Sequence, residues 1–134
     1  GHPKTMQADP TTIRYEDVVQ DVTCFLMERV AFAEQSGLPR ERIAIDPGIG
    51  FGKTTADNLR LIKGLNSLTA TGLPVVLGAS RKRLIDRNQA RECVVGSLAC
   101  AAIAVSAGVQ FIRAHDVRDT LDAVRMAVAI RDAT

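Results

Sequence analysis

Apolar positions along this chain follow two alternating rhythms. Between residues 15 and 35 they fall at 15, 18, 19, 22, 25, 26 and 30, a spacing that predicts an amphipathic helix stopped by Gly37 and Pro39. Ile43, Ala44 and Ile45 form a short run of β type that ends at Asp46. After a glycine-rich turn a second helical period carries Leu59, Ile62, Leu65 and Leu68 inward, as far as Gly72. Pro74, Val75, Val76, Leu77 and Gly78 make a second apolar strand. Residues 94–107 are apolar nearly all round, as a tightly packed helix would be, and Gly108 closes them before a third strand over 109–114. A last amphipathic helix over 120–131 turns Leu121, Val124, Val128 and Ala127 toward the core.

Three β-then-α units thus follow one another at intervals of roughly 32 to 36 residues, and successive crossovers of this kind imply parallel strands buried under helices. Polar chemistry gathers where each strand ends. Asp46 follows the first, Ser80, Arg81 and Lys82 the second, and Arg113, His115 and Asp116 surround the end of the third. A β/α barrel or an open α/β sheet builds its active site at such positions. Only three strands are offered, whereas an eight-stranded barrel takes about 250 residues, so the expected shape is a barrel cut in half.

The turn after Asp46 bears on the chemistry. Gly52, Lys53 and Thr54 satisfy the end of a phosphate-loop pattern, but the first glycine of that pattern is replaced by Pro47. Proline has no N–H to give an anion and fixes its own φ, so a strand-to-helix turn is the better description. Asp46 is then either a turn-capping carboxylate or a ligand group at a strand end.

At 134 residues and 46% hydrophobic, the chain suits one domain with a real core. A formal charge of +2, one Tyr, four Phe and no Trp make nucleic acid a poor partner. No apolar run reaches the ~18 residues a membrane span needs, which leaves a soluble chain. Cys24, Cys93 and Cys100 are unpatterned and set among apolar residues, so they are expected to be small buried hydrophobes, consistent with a reducing cytoplasm.

In order, Gly1, Pro3, Met6 and Gln7; Asp46, Pro47, Gly48, Gly50, Phe51, Gly52 and Lys53; Gly78 to Lys82; Gly96 to Ala99; and Arg113, His115, Asp116 and Val117 resemble the C-terminal half of the dihydropteroate synthase family over essentially the whole chain. The resemblance implies that residues 1–134 are the C-terminal part of a pterin-binding TIM barrel, here about three βα units. It implies condensation of 6-hydroxymethyl-7,8-dihydropterin diphosphate with p-aminobenzoate, release of diphosphate, inhibition by sulfonamides, and a cytoplasmic homodimer for the intact enzyme. Mg²⁺ would assist from a ligand in the absent N-terminal half, with no metal ligand in this chain.

Site roles follow from the same resemblance, and the residue chemistry suits them. Asp46 would accept the adjacent N–H and NH₂ donors of the pterin, with Phe51 as an apolar wall and Lys82 and Arg113 as cations toward the ring. Ser80 would help hold p-aminobenzoate. Arg113 and His115, two residues apart on one side of a strand end, would meet the diphosphate. Lys53 and Asp116 are expected to be structural, Asp116 at a helix start or behind the site, while Arg81 and Arg83 are equally well solvated charges. The stretch from Arg83 to Gly96 is a few residues short of the family's usual length, near Asp86 to Asn88. A methyltetrahydrofolate methyltransferase barrel and a noncatalytic half-barrel are the competing expectations.

Overall fold

The N–H groups of Val19 and Gln20 are taken up by the Asp17 carboxylate, and this cap starts helix α1 (Val18–Gln35) three residues after the first apolar position of its pattern. The computed structural model describes residues 14–82 and 90–134. The Gly1, Pro3, Met6 and Gln7 motif, Arg83 and the Asp86 to Asn88 stretch lie outside the described residues. Val18, Val22 and Val30 of α1 are buried. Phe25 was expected inward and is 44% exposed, because it lies on the outer face, where Arg29 stacks over both Phe25 and Phe32.

The expected strand at 43–45 contracts to a single parallel bridge, Ile45 to Val75. Ile45 N–H donates to the Pro74 carbonyl and Val76 N–H to the Ile45 carbonyl, both at 2.8 Å. Helix α2 (Thr55–Lys63) starts with a capping box, in which Thr54 and Asp57 each satisfy the other's backbone N–H. At Gly64 the helix breaks and resumes as α3 (Leu65–Thr69). Glycine is needed there because an added Cβ would fall 2.7 Å from Val19 of α1. Ile62, Leu65 and Leu68 are buried as expected, but Leu59 is 51% exposed and Leu61 takes the inward position instead.

Strand β1 (Val76–Leu77) pairs in parallel with β2 (Phe111–Ile112), in the register Val76 to Phe111 and Leu77 to Ile112. Between them runs α4 (Ala90–Ser106), and α5 (Val117–Arg131) follows β2. The strands therefore lie side by side in chain order, as successive strands of a barrel do. On one face Ile45, Val75 and Leu77 are buried against Leu61, Leu65 and Leu68. By the two-residue alternation of strands, Ala44, Asp46, Val76, Gly78, Phe111 and Arg113 belong to the opposite face, which the described helices leave open.

The expectation of close packing all round α4 fails on one side: Val95 and Ile103 are 59% and 52% exposed, while Ser97, Cys100, Ala101, Ala104 and Val105 are buried. In α5, Thr120 and Ala127 are buried and Val124 and Val128 half-buried, but Leu121 is 45% exposed. Both helices are only partly covered by their own neighbours. Cys100 is buried and Cys93 half-buried, but Cys24 is exposed on α1, because its position falls between the inward valines. Among the described residues no helix is long and apolar enough to cross a membrane.

Candidate functional site

The turn after Asp46 folds upon itself. Gly48, Gly50 and Gly52 have φ of 67°, 83° and 58°, the left-handed region that side-chain-bearing residues avoid. The Gly48 N–H donates to Asp46 Oδ1 at 2.8 Å, the Gly50 N–H to Asn58 Oδ1 at 2.8 Å, and the Phe51 N–H to the Gly48 carbonyl. Lys53 Nζ donates to the carbonyls of Gly48 and Phe51, both at 3.1 Å. A phosphate loop aims its N–H groups and its lysine at the anion. Here these groups are bonded within the turn, so the turn reading holds and the phosphate-loop reading does not. Lys53 is structural, as expected. Ile49 is fully buried at the centre of the turn.

Asn58 is the turn residue that periodicity does not reveal. It is 4% exposed, and its amide donates to the Thr54 carbonyl at 2.8 Å while its oxygen holds Gly50. A polar residue in the first turn of an apolar-periodic helix, eight residues after the second glycine of the loop, was the available signal.

Lys82 reaches across from the end of β1. Its Nζ donates to the Ile49 carbonyl and lies 4.4 Å from the centroid of the Phe51 ring. Its stem passes over Gly50, where an added Cβ would meet Cδ at 2.8 Å. Burial pulls the Lys82 ammonium below its usual pKa and the nearby Arg113 pulls it the same way, against the pull of Asp46. Lys53 is lowered too, chiefly by burial.

Arg113 crosses the sheet toward β1 and lies over Gly78, where a Cβ would stand 2.8 Å from Nη2. Ser80 Oγ accepts the His115 N–H at 3.1 Å and lies 3.0 Å from His115 Nδ1. Gly78, Ser80, Lys82, Arg113, Ala114 and His115 line one open cleft of about 160 Å³. The structure therefore brings Ser80, Lys82, Arg113 and His115 to one place, with Phe51 and Asp46 beside Lys82.

Arg81 is not merely a solvated charge. Its Nε donates to Asp116 Oδ2 at 3.0 Å, and Nη2 pairs with the other carboxylate oxygen. That bond holds the Asp116 carboxyl below the ordinary carboxylate range. Asp116 occupies the cap position of α5, yet its side chain caps nothing, which corrects the helix-start expectation in favour of a place behind the site.

Residues 1–115 match the family model described as pterin binding enzyme. The chain belongs to that family. It is 40% identical over 136 residues to the dihydropteroate synthase of Escherichia coli strain K12, covering 99% of this chain and 47% of that protein. The dihydropteroate synthase of Yersinia pestis, solved as a sulfonamide drug complex, superposes with a TM-score of 0.90 at 36% identity, over 100% of this chain and 49% of that one. That of Xanthomonas albilineans, solved in complex with 7,8-dihydropteroate, superposes at 0.85 with 42% identity, over 90% of this chain and 48% of that one. The chain thus spans about half the length of the relatives it matches, and its fold is the expected α/β one, a partial TIM barrel of three βα units.

Proposed function

We propose that residues 1–134 are the C-terminal part of a dihydropteroate synthase, which joins 6-hydroxymethyl-7,8-dihydropterin diphosphate to p-aminobenzoate. The observation that carries this is the convergence of side chains from three successive strand ends: Asp46 and Phe51, then Ser80 and Lys82, then Arg113 and His115. The 7,8-dihydropteroate in the Xanthomonas relative and the sulfonamide in the Yersinia relative support the same chemistry.

One carboxylate oxygen of Asp46 accepts Gly48 N–H, and carboxylates have further acceptor sites. These would receive the ring N–H and exocyclic NH₂ of a pterin, with the Phe51 ring as a wall. Lys82 would direct its charge to the pterin carbonyl or a ring nitrogen, and Ser80 would help hold p-aminobenzoate. The arylamine nitrogen attacks the pterin methylene carbon while the carbon–oxygen bond to diphosphate breaks, and the proton the nitrogen then sheds passes to water or to the released diphosphate. No protein nucleophile is needed, so the main task is stabilising negative charge on the departing diphosphate. Arg113 and His115 would do this, and Arg113 is near enough to Lys82 to touch the pterin side as well.

Mg²⁺ would neutralise diphosphate charge when bound. We expect its protein ligand in the N-terminal half of the intact enzyme. The exposed Ile103, Met126 and Ile130 of α4 and α5 support a homodimer of the intact enzyme, which we expect in the cytoplasm with no nucleic-acid or membrane partner.

Isothermal titration of the complete enzyme with dihydropterin diphosphate and with methyltetrahydrofolate tests this reading. Preference for the diphosphate supports a synthase. Preference for methyltetrahydrofolate would identify a methyltransferase barrel, whose reaction releases no diphosphate, and binding of neither would leave a noncatalytic half-barrel.

A further inference from the structure

Among the described residues Arg81 is the single non-glycine with a positive φ, 54°. A residue with a side chain stays in that region when its surroundings hold it there. Two groups do so. Ser97 Oγ, from the buried face of α4, accepts the Arg81 N–H at 2.9 Å and itself donates to the Cys93 carbonyl one turn back. The Asp116 carboxylate takes the guanidinium in a two-pronged pair.

Asp116 stands where a side chain ordinarily caps a helix, yet its carboxylate is turned away to Arg81. One residue earlier in each loop, Ser80 and His115 are bonded to each other. Two consecutive residues after β1 are thus tied to two consecutive residues after β2. Ser80 and Lys82, on either side of Arg81, both face the cleft, whereas Arg81, Ser97 and Asp116 are absent from its lining.

We propose that Ser97, Arg81 and Asp116 form a positioning clamp that aims Ser80 and Lys82 at the substrates and keeps His115 in register with Ser80. This rests on the proposed function for its substrates. The clamp residues touch neither substrate, so they are positioning residues, and the Arg81 guanidinium acts through the backbone it holds. Without the pair the loop loses one of the groups that fix its turned conformation, and the hydroxyl and ammonium it carries spread over more orientations. Small misplacements of such groups cost rate and affinity steeply.

The test is a double-mutant cycle in the complete enzyme that carries this chain, with Arg81→Ala, Asp116→Ala and the pair, and with Arg81→Lys and Asp116→Asn as milder variants. KM for p-aminobenzoate, kcat and Tm are read for each. The clamp predicts that each alanine variant raises KM for p-aminobenzoate roughly tenfold to a hundredfold and that the double variant is no worse than the worse single one. Partial recovery is expected in Arg81→Lys, and a milder KM defect of the same kind in Ser97→Ala. A fall in Tm with unchanged KM would overturn the clamp, leaving a structural ion pair. A severe Arg81→Ala defect beside a harmless Asp116→Ala would overturn it as well, since Arg81 would then touch substrate itself. If unaltered enzyme forms no dihydropteroate, the proposed function falls and this inference with it, whereas active enzyme with indifferent variants removes the clamp alone.

Discussion

The Lys82 ammonium stands 4.4 Å from the centroid of the Phe51 ring. Through this contact and its bond to the Ile49 carbonyl, the loop after β1 is laid over the glycine turn after Ile45. A cation so placed over an aromatic face contributes about 0.5–2 kcal/mol, and here it also fixes where positive charge can meet a ring bound beside Phe51.

The lowered pKa of Lys82 has a definite sign. Because the folded chain sheds this proton more readily than the unfolded one, stability gains as pH rises through the lowered value toward the ordinary lysine value. Ligand binding moves the opposite way, since the charge that meets the pterin is lost over the same range. Lys82→Arg, which does not titrate there, is expected to flatten the alkaline fall in pterin affinity relative to unaltered enzyme. Affinity measured across the alkaline range checks this, and an unchanged limb in the arginine variant would separate Lys82 from the pterin.

Asp46→Asn should cripple pterin binding, because an NH₂ group would replace an acceptor in front of the pterin donors. Sites built for such hydrogen bonds reject a mismatched partner by about 10⁴-fold. The bond to Gly48 N–H is kept if the amide oxygen faces inward, so the expected loss of stability is only about 1 kcal/mol. Titration with dihydropterin alongside thermal unfolding separates the two effects. Unchanged pterin affinity would reduce Asp46 to a turn cap.

Arg113→Ala and His115→Ala are expected to weaken the diphosphate-bearing pterin far more than the unphosphorylated pterin alcohol. Gly78→Ala should do the same by a different route, since its new methyl group occupies the space of the Arg113 guanidinium, while its backbone is free of the left-handed constraint. Equal losses for both ligands would argue against a phosphate role for this corner of the cleft.

What the sequence made legible was the order of the elements and the strand-end placement of the polar groups. Both follow from local pattern: an apolar run, then turn residues, then a helical period. The outward Leu59, Leu121 and Cys24 were not legible, because periodicity fixes a helical face only within about one position and packing partners decide the rest. Gly64 interrupts a helix for a reason 45 positions away, the side chain of Val19. Ser97 holds the Arg81 N–H in a loop 16 positions before it, a service that no spacing announces. Phe111, exposed on β2, and the groove of about 440 Å³ beside it, lined in part by Ile112, Val117 and Leu121, belong to an edge that only the fold makes visible.

That edge leads to the most direct measurement. The Ile45 bridge and β2 are the outer edges of the sheet among the described residues, and three strand ends cannot surround both a pterin and an aminobenzoate. The chain alone is expected to self-associate and to form no dihydropteroate. Mixing it with the N-terminal half of a dihydropteroate synthase and following dihydropteroate formation tests whether this chain is half of that enzyme. The two pieces are expected to co-elute and to form product only when both are present. Product from the chain as a lone monomer, or a co-eluting pair that makes none from dihydropterin diphosphate and p-aminobenzoate, would contradict this.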